Sequence, residues 1–121
     1  MITRGWLHTT LHPRGVALGL RLGRFHTARG AYAAARLVEE RSLAAAERLL
    51  GDEHPDTLTS MHNLAYTLWK IGQRESAAQT MRVAVEGRIK VLAVGDKHTA
   101  ASMQALAAMQ TTLASSSSGP Y

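Results

Sequence analysis

Apolar residues recur every three to four positions along most of this chain, with charged and polar residues between them. From Leu58 they fall at Met61, Leu64, Ala65, Leu68 and Ile71, which is one face of a helix turning every 3.6 residues. Gly72 interrupts the pattern, and it resumes at Ala77, Ala78, Met81, Val85 and Ile89. The stretch 51–92 therefore predicts a helix, a tight turn and a second helix from about Glu75 to Leu92. Pro55 suits the first turn of the earlier helix, where a missing N–H costs nothing, and Asp56 and Thr57 suit its positive end.

The same unit recurs on both sides at an offset of 42 residues. Upstream, Gly72 falls on Gly30, Ala77 on Ala35, Leu64 on Leu22 and Leu92 on Leu50. Downstream, Ser60 and Met61 fall on Ser102 and Met103, and Leu64 and Ala65 on Leu106 and Ala107. A fixed period in this range signals a stacked repeat architecture, in which each unit buries its apolar face against its neighbours.

The remaining helices follow from this frame. Val16–Arg29 carries Val16, Leu18, Leu20, Leu22 and Phe25, but Gly19 and Gly23 each cost about 1 kcal/mol of helix propensity relative to alanine. Leu22–Gly23 lies where a close helix contact favours a small residue, and Gly30 is expected to cap the helix in a left-handed conformation. Ala31–Leu50 has an apolar stripe of Ala35, Leu37, Val38, Leu43, Ala46 and Leu50, with Glu39, Glu40, Arg41, Glu47 and Arg48 on the solvated side; Gly51 stops it. After a linker at 93–97, Thr99–Leu113 predicts a fifth helix with Met103, Leu106 and either Met109 or Gln110 along it. The chain thus divides into an irregular basic segment (1–14), repeat units at 15–50, 51–92 and, in part, 93–114, and a flexible serine-rich tail (115–121). No alternating run of β-branched residues is long enough for a strand, so the class is all-α.

Composition narrows the function classes. The absence of cysteine excludes disulfides and thiolate chemistry, and it is compatible with a reducing compartment, so a cytoplasmic location is expected. No apolar run approaches the ~20 residues needed to span a bilayer. The net charge of +5 is unevenly placed. Six arginines (Arg4, Arg14, Arg21, Arg24, Arg29, Arg36) and no acid precede Glu39, whereas the rest of the chain is nearly balanced. Arg14, Arg21, Arg24 and Arg29, with Phe25, could track a phosphate backbone, although a solvated basic helix face accounts for them more simply. Arginines without acids, together with Thr9 and Thr10, also resemble a mitochondrial leader. A frayed end is favoured, because the basic stretch continues into residues that fit the repeat.

The central junction reads Leu50, Gly51, two variable residues, His54, Pro55, Asp56, Thr57, Leu58, Thr59, Ser60, Met61, one variable residue, Asn63, Leu64, Ala65. This ordered set resembles the tetratricopeptide repeats of the kinesin-light-chain type. Leu64–Ala65, Leu68 and Ala77 occupy the large, small, bulky and alanine positions of the general repeat. The first repeat departs from it with Gly23 and His26, and the third lacks Pro-Asp-Thr. The resemblance covers roughly Val16 to Leu113. It implies an α-solenoid of about two and a half repeats and five helices, with a concave groove lined by the first helix of each pair, and it suggests a piece of a longer array.

It also implies a scaffold or peptide binder. The family's groove positions fall on Thr59, His62, Asn63, Tyr66, Trp69 and Lys70. Asn63 offers a donor and an acceptor to a peptide backbone. Tyr66 and Trp69 offer rigid apolar area with a polar edge. Lys70, with Arg21 and Arg24 from the first repeat, favours an acidic peptide. A packing role for Asn63 and a core role for Trp69 compete with this reading. The neighbouring repeats carry Arg21 and Ala105 at the Asn63 place, so the clamp is not repeated.

Similar arrays form the sensor end of nucleotide-switch signalling proteins, but no phosphate-binding Gly-x-x-x-x-Gly-Lys-Ser/Thr occurs here. His54 and His98 recur at equivalent junctions, which points to structure. His8 and His12 are four apart, but Pro13 adjoins them and no acid is near, so no metal is expected. No nucleophile motif or cofactor signature occurs, and an enzyme is not expected. The fifth helix lacks a partner helix, so self-association through Thr99–Leu113 is anticipated.

Overall fold

The computed structural model describes residues 13–93 and 95–117. Among the described residues five helices follow one another: α1 (Pro13–Ala28), α2 (Tyr32–Leu49), α3 (Pro55–Ile71), α4 (Arg74–Val91) and α5 (Lys97–Ser117). No strand is present among the described residues. Each helix packs on the next, and α1 also reaches α3, so the first helices of successive pairs lie side by side. This is the antiparallel, stacked arrangement of an α-solenoid. Helix α5 runs to Ser117, beyond the end expected at Leu113 and into the first serines of the expected tail; just before that end the Thr111 and Thr112 hydroxyls donate to the Ala107 and Ala108 carbonyls. His8 and His12, where no metal is expected, and the leader-like segment lie outside the described residues.

The repeat period is visible in the turn chemistry. Gly30 and Gly72 both take positive φ, 76° and 102°. At Gly72 the chain donates Gln73 N–H to the Leu68 carbonyl and Gly72 N–H to that of Trp69; at Gly30, Ala31 N–H reaches His26 O and Gly30 N–H reaches Thr27 O. These are the paired bonds of a Schellman cap, repeated 42 residues apart. At the start of α3, His54 is the N-cap in extended conformation, and its Nδ1 accepts from Asp56 N–H at 3.0 Å. Pro55 occupies the first turn as predicted. Thr57, fully buried, donates its hydroxyl to Gly51 O at 2.7 Å and fixes the junction between repeats. The corresponding cap of α5 is supplied by Asp96, whose carboxylate accepts from His98 N–H, so His98 does not repeat the role of His54.

The main core lies between α3 and α4. Leu58, Met61, Leu64, Ala65 and Leu68 pack against Ala77, Ala78, Met81, Ala84 and Val85, with Met109 added from α5. The last positions of the two predicted stripes, Ile71 and Ile89, remain exposed at 37% and 42%. Between α1 and α2 the packing is different in kind. A methyl group on Gly23 would sit 2.7 Å from Glu39 Cγ, and one on Gly19 would collide with Ser42 Oγ. The two glycines thus give up helix propensity to let polar side chains of α2 lie flat against α1. Two sequence expectations fail here. Leu37 is exposed, and Glu39, assigned to solvent, is 2% exposed. The face of α2 that turns inward is Ala35, Glu39, Ser42 and Ala46, one helical row set by the contact with the two glycines rather than by side-chain hydropathy.

Candidate functional site

A cavity of about 270 Å³ opens between α1 and α3, with α2 behind it. Arg24, Thr27 and Ala28 come from α1, Glu39 from α2, and His62, Asn63 and Tyr66 from α3. Arg24 and Tyr66 lie toward solvent, His62 and Asn63 are half-buried, and Glu39 is buried. The Asn63 side-chain nitrogen is shielded from water and has no hydrogen-bond partner. An orphaned donor of this kind normally has a cost, and its place beside an open cavity makes Asn63 a candidate for binding.

Glu39 is held by one hydrogen bond, in which the Thr67 hydroxyl donates to Oε1 at 2.6 Å. Burial raises its carboxyl to about pKa 7, against the opposing pull of the Thr67 bond. Among the described residues it forms no ion pair; Arg36, on the same helix, pairs with Glu40 instead.

His62 joins the cavity to a second polar cluster at the next junction. Arg88, 4% exposed, donates Nη1–H to Ser102 Oγ at 2.5 Å and to His98 O at 2.9 Å, and Nη2–H to Thr59 Oγ1 at 3.2 Å. Ser102 Oγ lies 2.8 Å from His62 Nδ1, and Arg88 Nη1 lies 3.4 Å from the same nitrogen. The Ser102 hydroxyl, which accepts from Arg88, has its own proton free to donate to Nδ1 of His62; with Nδ1 accepting, the neutral ring carries its proton on Nε2. Burial first, then the charges of Arg88 and His98, lower the His62 pKa to about 4. Burial also lowers that of Arg88, with Asp96 opposing. The cluster ties α3, α4 and α5 together, and it accounts for the recurrence of serine at 60 and 102 only in part. Ser60 is buried too, but its hydroxyl has no partner, since Ala46 stands where Arg88 would be one repeat earlier.

The structure separates the eight groove candidates. Arg24, His62, Asn63 and Tyr66 share the cavity. Thr59 is engaged by Arg88. Trp69 packs partly into the core, with Arg74 stacked 5.1 Å from its ring centre. Lys70 lies 5.2 Å over the Tyr66 ring, and Arg21 is exposed outside the cavity. Sequence reasoning missed Glu39 and Arg88. For Glu39 the available signal was its spacing of four from Ala35 opposite Gly23; for Arg88, its place on the stripe of Met81 and Val85. Among the described residues, no three His, Cys, Asp or Glu side chains converge as a metal site, and no helix is long and apolar enough to cross a membrane.

A larger, more open hollow of about 630 Å³ lies between α3 and α4. It is floored by Leu58, Met61 and Gly87 and edged by Glu47, Asp52, Glu53, Glu86 and Lys90. Lys90 and Glu53 already pair across it at 2.9 Å, both largely in solvent.

Comparison with known proteins agrees with this architecture. The tetratricopeptide repeat profile matches residues 9–90. A crystal structure of nearly identical tetratricopeptide-like repeats, from a Podosopora anserina protein described as a kinesin light chain, superposes with a TM-score of 0.77 at 29% identity. The match covers 82% of this chain and 47% of that one, so the chain spans about half the length of that structure. No curated protein matches the chain.

Proposed function

Since the chain belongs to the tetratricopeptide repeat family, whose repeats mediate protein–protein interaction, we propose that it is a non-catalytic binding module. It holds an extended partner peptide in the groove formed by α1, α3 and α5. The observation that carries this reading is the cavity between α1 and α3, lined by Asn63 beside His62, Tyr66 and Arg24, with the Asn63 amide nitrogen buried and unpartnered in its wall. A peptide backbone supplies the acceptor that Asn63 lacks. The exposed Arg21, Arg24, Lys70 and Arg74 surround the groove and favour acidic residues in the peptide flanking the cavity. The proposed setting is cytoplasmic.

Selection from a random peptide library, followed by titration of the selected peptide against wild type and Asn63→Ala, tests the reading. A loss of about tenfold in affinity is the expected result for one well-placed hydrogen bond pair in a desolvated site. Equal affinity removes Asn63 from the interface. Self-association through α5, which leaves Met103 40% exposed, is the second part of the proposal. Sedimentation velocity over a wide concentration range tests it, and a monomer throughout refutes it.

A further inference from the structure

We infer that the cavity between α1 and α3 is a subsite for one cationic side chain of the bound partner, an arginine or lysine, with Glu39 as its counter-charge. The inference rests on the groove reading and sharpens it: the peptide is mixed in charge, with acidic residues outside the cavity and one basic anchor within it.

Buried carboxyl groups in folded proteins are normally paired with a cation or several donors. Glu39 is 2% exposed, has Thr67 as its hydrogen-bond partner, and forms no ion pair among the described residues. The fold also makes room for it at a cost. Gly23 removes a side chain that would press on Glu39 Cγ at 2.7 Å and on Oε2 at 3.1 Å, in the middle of a helix that glycine weakens. A carboxyl kept in such a place, lining an open cavity of about 270 Å³, is a preorganised acceptor.

The groups facing it favour a cation over other occupants. From α3, His62 is neutral near pH 7, and Tyr66 contributes a ring that also carries the exposed Lys70 ammonium 5.2 Å from its centre. The Arg88 and His98 charges lie behind His62, at the other junction. From α1, Arg24 is exposed at the rim, where solvent screens it. Glu39 is buried and acts in a lower dielectric than the exposed Arg24 and Lys70, so attraction of an ammonium or guanidinium to the floor outweighs repulsion from the rim. An anion would meet the reverse arrangement. Occupation by a cation stabilises the carboxylate, so binding strengthens as pH rises through the region where Glu39 loses its proton.

The test uses single residues rather than a selected peptide. Acetyl-arginine amide and acetyl-lysine amide are titrated into the full chain and followed by backbone amide NMR, with acetyl-norleucine amide and acetyl-aspartate amide as controls. Shifts at Gly23, Glu39, Asn63 and Thr67 with the cationic probes alone are expected, the arginine and lysine arms showing which cation is preferred. Glu39→Gln, which keeps size and an acceptor for Thr67, should weaken them about tenfold. Arg24→Ala, on the surface, should strengthen them. Equal response to norleucine or aspartate, cationic binding that survives Glu39→Gln, or no shift at these residues overturns the inference. The groove reading fails separately, when a selected peptide binds wild type and Asn63→Ala alike.

Discussion

Replacing Glu39 by glutamine should change the stability of this protein in a way that depends on pH. Glu39 is buried, and its carboxyl is raised from 4.5 to about 7. A raised carboxyl pKa means that the folded state holds a proton which the unfolded state releases, so the stability contributed by Glu39 is present at acid pH and lost as pH rises through 7. With 1.36 kcal/mol per pKa unit, the loss between about pH 5 and about pH 8 is roughly 2–3 kcal/mol in wild type. Glutamine carries no charge at either pH and still offers Thr67 an acceptor. It therefore introduces a constant offset, from burying an amide N–H₂ in place of the acid, but no slope. The expected outcome is that Glu39→Gln gains about 2 kcal/mol relative to wild type between those two pH values, whichever is the more stable at pH 5. Urea unfolding followed by far-ultraviolet circular dichroism measures this directly, with both proteins carrying His62 so that its titration cancels. A difference that stays constant to within about 0.5 kcal/mol across the range, or that moves the other way, would refute the burial of an unpaired carboxyl.

Other perturbations probe the two junctions and the glycines. Arg88→Ala leaves Ser102, Thr59 and the His98 carbonyl without their donor; a loss of about 2–4 kcal/mol is expected, with hydrogen exchange accelerating first in α5. Unchanged protection of α5 would mean that the cluster does not hold the repeats together. His62 has the opposite linkage to Glu39. Its lowered pKa gives stability that is complete above pH 6.5 and lost as pH falls through 4, and His62→Gln should abolish that acid-side loss in the same unfolding series. Gly23→Ala gains about 1 kcal/mol of helix propensity but forces a methyl against Glu39, so a net loss of about 1–2 kcal/mol is expected by thermal unfolding.

The fold was legible in the sequence because its determinants are local and repeated. The spacing from Leu58 to Leu68, the left-handed glycines 42 residues apart, and the His54-Pro55-Asp56 start each specify backbone geometry within a few residues. Stacking such units leaves few alternatives. The candidate site was legible only in part. Arg24, His62, Asn63 and Tyr66 could be placed on one side of the first helices, since they inherit that side from the repeat register. Trp69 could not be divided between groove and core by periodicity, because its spacing fits both; the packed structure puts it at the edge of the core under Arg74.

What the sequence determined by itself is the class, the period and the turns, all of which follow from propensity and apolar spacing. What only the tertiary structure decided is which polar residues are buried. Hydropathy assigns Glu39 and Arg88 to solvent, and their helical spacing from Ala35 and from Met81 and Val85 is too weak a signal to overrule it. Their burial depends on partners 28 and 14 residues away, Thr67 and Ser102, and on the close approach that Gly23 permits. Solvent exposure is a property of the packed assembly rather than of any segment, and the chemistry of the cavity, a protonatable acid beneath an open groove, exists only once three helices have met.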